Sequence, residues 1–269
     1  PGTVFSQFTL PFFEGFDGFN CDITLDDSSC YSNTNPVGWT FPIPDGDPFP
    51  GNWRTGERGW GLFGAESTHV VGNPPPAAYF YWDPQVDATD PGPPHTIIID
   101  GVSYYSFRMT TPTIAVGTVE QVRVSFDFEL DFFNAGNIEG LFIEYRIAGS
   151  QDWQIVLNPE VAPGVLVNYP LRNDSYIADV TDSIQLGFHA YGTESYNINS
   201  WDIDNVTVTA LPQLTNVSIS SNNPLDPTLA VDGNIITLVY TSDTPLTSTS
   251  AIIASDTIPI GNITNISGN

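Results

Sequence analysis

Between residues 122 and 130 the chain reads VRVSFDFEL, with Val122, Val124, Phe126, Phe128 and Leu130 alternating against Arg123, Ser125, Asp127 and Glu129. Successive side chains of a strand point to opposite faces, so this run buries one face and wets the other; a helix would scatter the same residues around its circumference. LFIEYRI (141–147) repeats the pattern, setting Leu141, Ile143, Tyr145 and Ile147 against Phe142, Glu144 and Arg146. Further strands are expected at AAYFYW (77–82), HTIIID (95–100), VSYYSFRM (102–109), SIQLGFHAY (183–191) and SWDIDNVTVTA (200–210). Helical periodicity is hard to find anywhere in the chain. Many short strands separated by Pro, Gly, Asn and Asp turns read as an all-β sandwich. The 41% hydrophobic content of the 269 residues supplies a core for one large or two modest domains.

A boundary falls at about residue 210. Beyond it aromatics drop to the single Tyr240, and Ser, Thr, Asn and Ile take over. The first domain is therefore 1–210 and the second 211–269, with strands expected at LTNVSISS, NIITLVYTS, TSAIIAS and TIPIGNITN. An immunoglobulin-like sandwich needs roughly 100 residues, and the second segment has 59. Either its remainder lies in later sequence or a neighbouring chain completes it.

Six arginines and no lysine stand against 31 acids, a formal net charge of −25. A field of that sign repels phosphate backbones and anionic lipid, which excludes nucleic acid and a membrane surface as partners and favours cations. Solubility in a salty medium is the plainer reason for the same acidity. Cys21 and Cys30 are the only thiols and bracket a short polar loop, as a small disulfide in an oxidising compartment would. Neither has Cys or His neighbours at zinc spacing. No apolar run approaches the roughly 18 residues of a spanning helix, and no signal-like segment opens the chain. These features together read as a mature or excised part of an exported protein.

Four stretches carry a family resemblance in order: FFEGFDG (12–18), NPVGWTFPIPDGDPFPGNW (35–53), YYSFRMTTPTI (104–114) ahead of the VRVSFDFEL strand, and WDIDNVTV (201–208). Over residues 8–210 the chain resembles the cleaved-adhesin or choice-of-anchor J domains, jelly-roll relatives of the MAM domain found in large exported bacterial surface proteins. Through TNVSISSNN, DGNIITLVYTSDTPLTS and GNITNISGN the tail resembles bacterial immunoglobulin-like repeats, about half of one. The resemblance implies a jelly-roll β-sandwich followed by a smaller, incomplete immunoglobulin-like β-domain.

In SWDIDNVTVTA the apolar period of two slips by one: Trp201 and Ile203 alternate, but the next apolar residues are Val206 and Val208. A β-bulge at Asp204-Asn205 accounts for the slip, because a bulge turns adjacent residues toward one side. In sandwiches of this kind the first and last strands lie side by side, which brings Asp204 and Asn205 toward Glu14 and Asp17. Hard oxygen ligands in that number suit Ca2+, and the family resemblance implies calcium near the ends of the sandwich. A solvated edge bulge is the alternative. Asp45 and Asp47, in PDGDP, offer a further calcium site or a plain Asp-Gly turn.

Other motifs carry less. GWGLFG (59–64) has the letters of a dinucleotide loop without the surrounding βαβ unit. His69, His95 and His189 are scattered, and His189 sits in strand alternation as a face residue. Asp127 and Glu144, if they met across strands, would imitate the acid and nucleophile of a glycosidase; on so acidic a chain coincidence explains them better. Trp53, Trp60, Tyr79 and Tyr81 are candidate stacking platforms for pyranose rings, with Ala78, Phe80 and Trp82 as the buried set of their strand. The sequence thus reads as a non-enzymatic, secreted, calcium-stabilised adhesion or surface-fibre module that binds a glycan or a surface protein. Two alternatives are a carbohydrate-binding accessory module of a secreted hydrolase and a self-assembling filament subunit using strand complementation.

Overall fold

The alternating runs become strands. The computed structural model describes residues 7–19, 23–25, 29–31, 34–41, 52–56, 76–81, 96–132, 138–161, 169–193, 198–242, 252–253 and 256–257. In chain order the strands begin with β1 (Phe8–Thr9), β2 (Phe12–Glu14), β3 (Ile23–Leu25), β4 (Ser29–Tyr31), β5 (Asn52–Gly56), β6 (Ala77–Tyr81) and β7 (Thr96–Ile99). They continue with β8 (Val102–Thr110), β9 (Ile114–Gly117), β10 (Gln121–Phe132), β11 (Glu139–Ile147), β12 (Gln154–Leu157), β13 (Glu160–Val161), β14 (Tyr169–Asp179), β15 (Asp182–Gly192) and β16 (Ile198–Ala210). The last four are β17 (Leu214–Ser221), β18 (Ile236–Ser242), β19 (Ile252–Ile253) and β20 (Asp256–Thr257). No helix among the described residues is long and apolar enough to cross a membrane. The chain divides into two units, Pro1–Ala210 and Leu211–Asn269.

The first unit is a sandwich of an eight-stranded and a six-stranded sheet. In the larger, β15 is central, with β11 on one edge and β8 and β9 sharing the other. In the smaller, β16 is central, with β10 on one edge and β6 and β2 sharing the other. The second strand and the last strand of the unit are thus neighbours, Glu14 standing opposite Val206 and Phe12 opposite Val208, while β1 lies in the other sheet. Between Leu10 and Pro11 the chain passes from the larger sheet, where β1 runs parallel to β9, to the smaller.

The core lies between the sheets and is built from the alternations read in the sequence. Val122, Val124, Phe126, Phe128 and Leu130 of β10 meet Leu141, Ile143, Leu186 and Phe188 of β11 and β15, all buried. Rings interlock across the gap: Phe126 meets Phe188 edge-on at 5.6 Å, and Phe80 stacks on Tyr105 at 5.7 Å. Aromatic pairs of this kind contribute about 0.5–1.5 kcal/mol beyond the area they bury.

One expectation needs correcting. Tyr79, in the outward phase of its strand, is 0% exposed, as is Trp53, whose indole N–H donates to the Phe107 carbonyl oxygen at 2.9 Å. Tyr79 stands opposite Arg54 and Asp202, and Asp202 and Ser200 are buried too, so this end of the sheet is covered on both faces. Neither ring offers a free face to a sugar. Asp127 and Glu144 do not meet: the first is on β10 of the smaller sheet, the second on β11 of the larger.

The second unit behaves differently. β17 and β18 form a two-stranded ribbon, and β19 and β20 another. Leu214, Val217, Ile219, Ile236 and Val239 of the ribbon are all exposed.

Candidate functional site

The register slip is a bulge. Ser125 pairs with Thr207 and Asp127 with Asp204, so β16 spends three residues where β10 spends two. The extra residue lets Trp201 and Ile203 before it, and Val206 and Val208 after it, all reach the core. Asn205 takes φ 50°, a left-handed conformation that Asn tolerates better than most residues. Asp204 is buried, and its Oδ1 accepts the Asn205 N–H at 2.7 Å. The Asn205 amide turns toward β10 and donates to Asp127 Oδ2 at 2.9 Å, while Asn173 donates to the other Asp127 oxygen at 2.8 Å.

Glu14 lies across the strand pair, its register position two residues from Asp204 along β16. Its Oε1 accepts the Phe16 N–H at 2.8 Å. Burial raises the Glu14 carboxyl above its ordinary range, the Phe16 hydrogen bond opposes this, and the charge of Asp17 adds to it. The donor set is all oxygen, as calcium requires. Glu14 and Asp204 stand on adjacent strands two register positions apart, Glu14 opposite Val206 and Asp204 opposite Asp127. Among the described residues no three His, Cys, Asp or Glu side chains are grouped as a metal site, so main-chain or amide oxygens would have to complete the shell. Asp45, Asp47, Trp60, His69, His95, GWGLFG and the Cys21–Cys30 pairing lie outside the described residues, as does the Tyr81 side chain.

A second constellation occupies the outer face of the larger sheet, built by the non-core half of the same alternations. Four register pairs of β11 and β15 form a ladder there: Arg146 with Gln185, Glu144 with Gly187, Phe142 with His189 and Gly140 with Tyr191. Glycines make room for rings laid across the sheet. A Cβ on Gly187 would lie 2.9 Å from Trp153 and Glu144, and one on Gly140 would overlap the Tyr191 ring at 2.4 Å. Phe142 stacks on Tyr191 at 4.1 Å, and Tyr191 donates to Asn158 Oδ1 at 2.9 Å. The guanidiniums of Arg108 and Arg146 lie 4.6 and 4.5 Å from the Trp153 ring centre, within cation–π range.

Glu144 is the hub. Arg108 Nε donates to its Oε1, and His189 Nδ1 lies 3.4 Å from the same oxygen. Burial alone would raise the Glu144 carboxyl, but His189 and Arg108 hold it below its ordinary range. His189 is pushed down by burial, a shift that Glu144 opposes and Arg108 reinforces. Ser106 Oγ lies 2.6 Å from His189 Nε2, so Ser106, His189 and Glu144 have the connectivity of a nucleophile, base and acid. Arg108 Nη2 lies 3.1 Å from His189 Nδ1, so Glu144 and Arg108 compete for that nitrogen: a ring protonated there donates to Glu144, and one protonated on Nε2 accepts from Arg108 and donates to Ser106. In either tautomer the cluster fixes its side chains against one another.

Alternation put these residues on one face of the sequence pattern, Phe142, Glu144 and Arg146 among them. Their joint outward facing is the signal of this cluster that the sequence carries. Trp153, on the turn before β12, had none, since its place on the sheet depends on Gly187 of a strand 34 residues later.

No protein-family model matches the sequence, and no curated protein matches it. Solved structures align with the chain at low identity and low structural similarity. The K1 cleaved adhesin domain of Lys-gingipain from Porphyromonas gingivalis W83 is 14% identical with a TM-score of 0.42, over 75% of this chain and 98% of that one. TmCBM61, solved with β-1,4-galactotriose, is 12% identical with a TM-score of 0.33, over 64% and 88%. The CBM22-1 xylan-binding domain of Paenibacillus barcinonensis Xyn10C is 9% identical with a TM-score of 0.35, over 76% and 97%. At these scores, what those domains bind is no property of this chain.

Proposed function

We propose that residues 1–210 are a non-catalytic, extracellular binding module of an exported surface protein, taking a glycan or a glycan-bearing surface partner on the outer face of the larger sheet. The observation that carries this reading is the partly exposed Trp153, braced on Gly187 and flanked by Arg108, Arg146 and Gln185. A fixed ring among directional donors is the chemistry that recognises a sugar's apolar face and its hydroxyls. Trp153 replaces the buried Trp53 and Tyr79 as the residue to test. Binding on a glycan array should fall at least tenfold in Trp153→Ala, with the circular dichroism spectrum unchanged. Full binding by that variant would refute this face as the site.

Calcium belongs to the same proposal, held by Glu14 or Asp204 together with main-chain or amide oxygens, where it would brace β2 against β16. For the second unit, the exposed faces of β17 and β18 favour completion by another strand, from later sequence or from a second chain. An exposed apolar ribbon edge is a template for strand addition.

A further inference from the structure

Resting on the reading of residues 1–210 as a glycan-binding module, we infer that its ligand is an anionic saccharide, whose carboxylate or sulfate is received by Arg146 at the Trp153 end of the ladder. The chain as a whole repels anions, with six arginines against 31 acids. Two of the six nevertheless converge on a single indole. Arg108 is neutralised there by Glu144. Arg146 is not: its Nε and Nη2 donate to Gln185 Oε1 at 3.2 and 2.9 Å, and its Nη1 donates to the Ser150 carbonyl at 3.0 Å, all to neutral acceptors. Among the described residues it forms no ion pair. The cluster of two guanidiniums and one carboxylate therefore keeps one positive charge.

That charge is positioned as well as spare. A guanidinium has five N–H groups, and the three bonds leave one on each terminal nitrogen of Arg146, a fork suited to two oxygens of a carboxylate or sulfate. Gln185 and Ser150 fix the plane and the Trp153 ring supports it, so little side-chain entropy remains to be lost on binding. From Arg146 the ladder runs four residues along β11 to Phe142, about 13 Å at a strand's rise per residue, leaving room for further sugar units beside the charged one. Burial and the neighbouring Arg108 lower the Arg146 pKa from its ordinary value, Glu144 pulling the other way. An anion on Arg146 would relieve that strain.

Three trisaccharides of one backbone test the inference by calorimetry on the full chain at 150 mM NaCl: galactose, galacturonic acid and sulfated galactose. Tighter binding of either acidic trimer than of the neutral one, by tenfold or more, is expected; which acidic trimer wins identifies the anion. Arg146→Gln, which keeps hydrogen-bonding capacity and loses the charge, should erase that preference, bringing the acidic trimers to the affinity of the neutral one. Equal affinity for all three, unaffected by Arg146→Gln, would overturn the anionic inference and leave the binding module standing. No binding of any trimer, together with a silent glycan array, would overturn both. Binding of a glutamate-rich peptide in place of the acidic trimers would overturn the saccharide and leave Arg146 as an anion receptor of another class.

Discussion

β10 in the first unit and β17 in the second are both alternating strands, yet they have opposite fates. Phe126 of β10 is 0% exposed, packed against Phe188 of the facing sheet, whereas Ile219 of β17 is 61% exposed. Ile219 pairs in register with Leu238 of β18, so backbone pairing is not what it lacks. What it lacks among the described residues is a second layer. Pairing satisfies the main chain but removes little apolar surface from water; a facing sheet does that, and burial is the dominant favourable contribution to folding.

The largest expected effect sharpens this contrast directly. Phe126→Ala should cost about 3–5 kcal/mol, read as a fall in the urea midpoint of the first unit. Ile219→Ala should change the stability of its own unit by less than about 0.5 kcal/mol, read as amide exchange at β17 and β18. A comparable loss from Ile219→Ala would show that the ribbon has found a covering layer in solution.

Next in size is calcium. An ion bound only by the native state stabilises it by about 2.7 kcal/mol at a hundredfold excess over its Kd, so EDTA should lower the melting temperature of the first unit and leave exchange at β17 and β18 unchanged. Glu14→Gln or Asp204→Asn should abolish most of that response, according to which carboxylate holds the ion. A melting curve indifferent to EDTA would remove calcium from the account.

A smaller effect is expected at the bulge. Asn205→Ala places a less tolerant residue at φ 50° and removes the amide bond to Asp127, a cost of about 1–2 kcal/mol. Asn205→Gly frees the backbone while losing the same bond, so denaturation of both variants separates the two contributions. Equal losses in both would assign the whole effect to the hydrogen bond.

The smallest concerns pH. Because His189 is held below its ordinary pKa of 6.5, the unfolded chain binds its proton more readily than the native one. Its contribution is therefore present above pH 6.5 and is lost as pH falls below it. Glu144, held below 4.5, adds a further loss below that value. His189→Gln should flatten the stability profile between pH 6.5 and 4.5 and also shrink the drop below 4.5, because it removes a hydrogen bond that holds the Glu144 carboxyl down. No comparable change is expected in the second unit, which has no histidine.

Sequence reading reached the strands of β10, β11 and β15 because a period of two is a local property, visible whatever the partner. The bulge was legible for the same reason: Ile203 and Val206 break the alternation, and a core on one side tolerates that only if the backbone shifts. The aromatic assignments failed where alternation is uninformative. Tyr79 follows the outward phase of β6, yet it is buried, since its sheet is covered on both faces at that end. Trp53 shows no phase of its own in a five-residue strand.

The sequence by itself determined that this chain folds as β-structure, which residues of each strand share a face, and where the last strand of the first unit must bulge. Tertiary structure alone decided which outward faces stay open, and that Glu144, Arg108, His189 and Trp153 meet. Alternation fixes the direction of a side chain within its own strand. What that side chain touches depends on strand order and on the register of β8, β11 and β15, which are far apart along the chain, and on glycines such as Gly187 that let a distant ring lie down on the sheet.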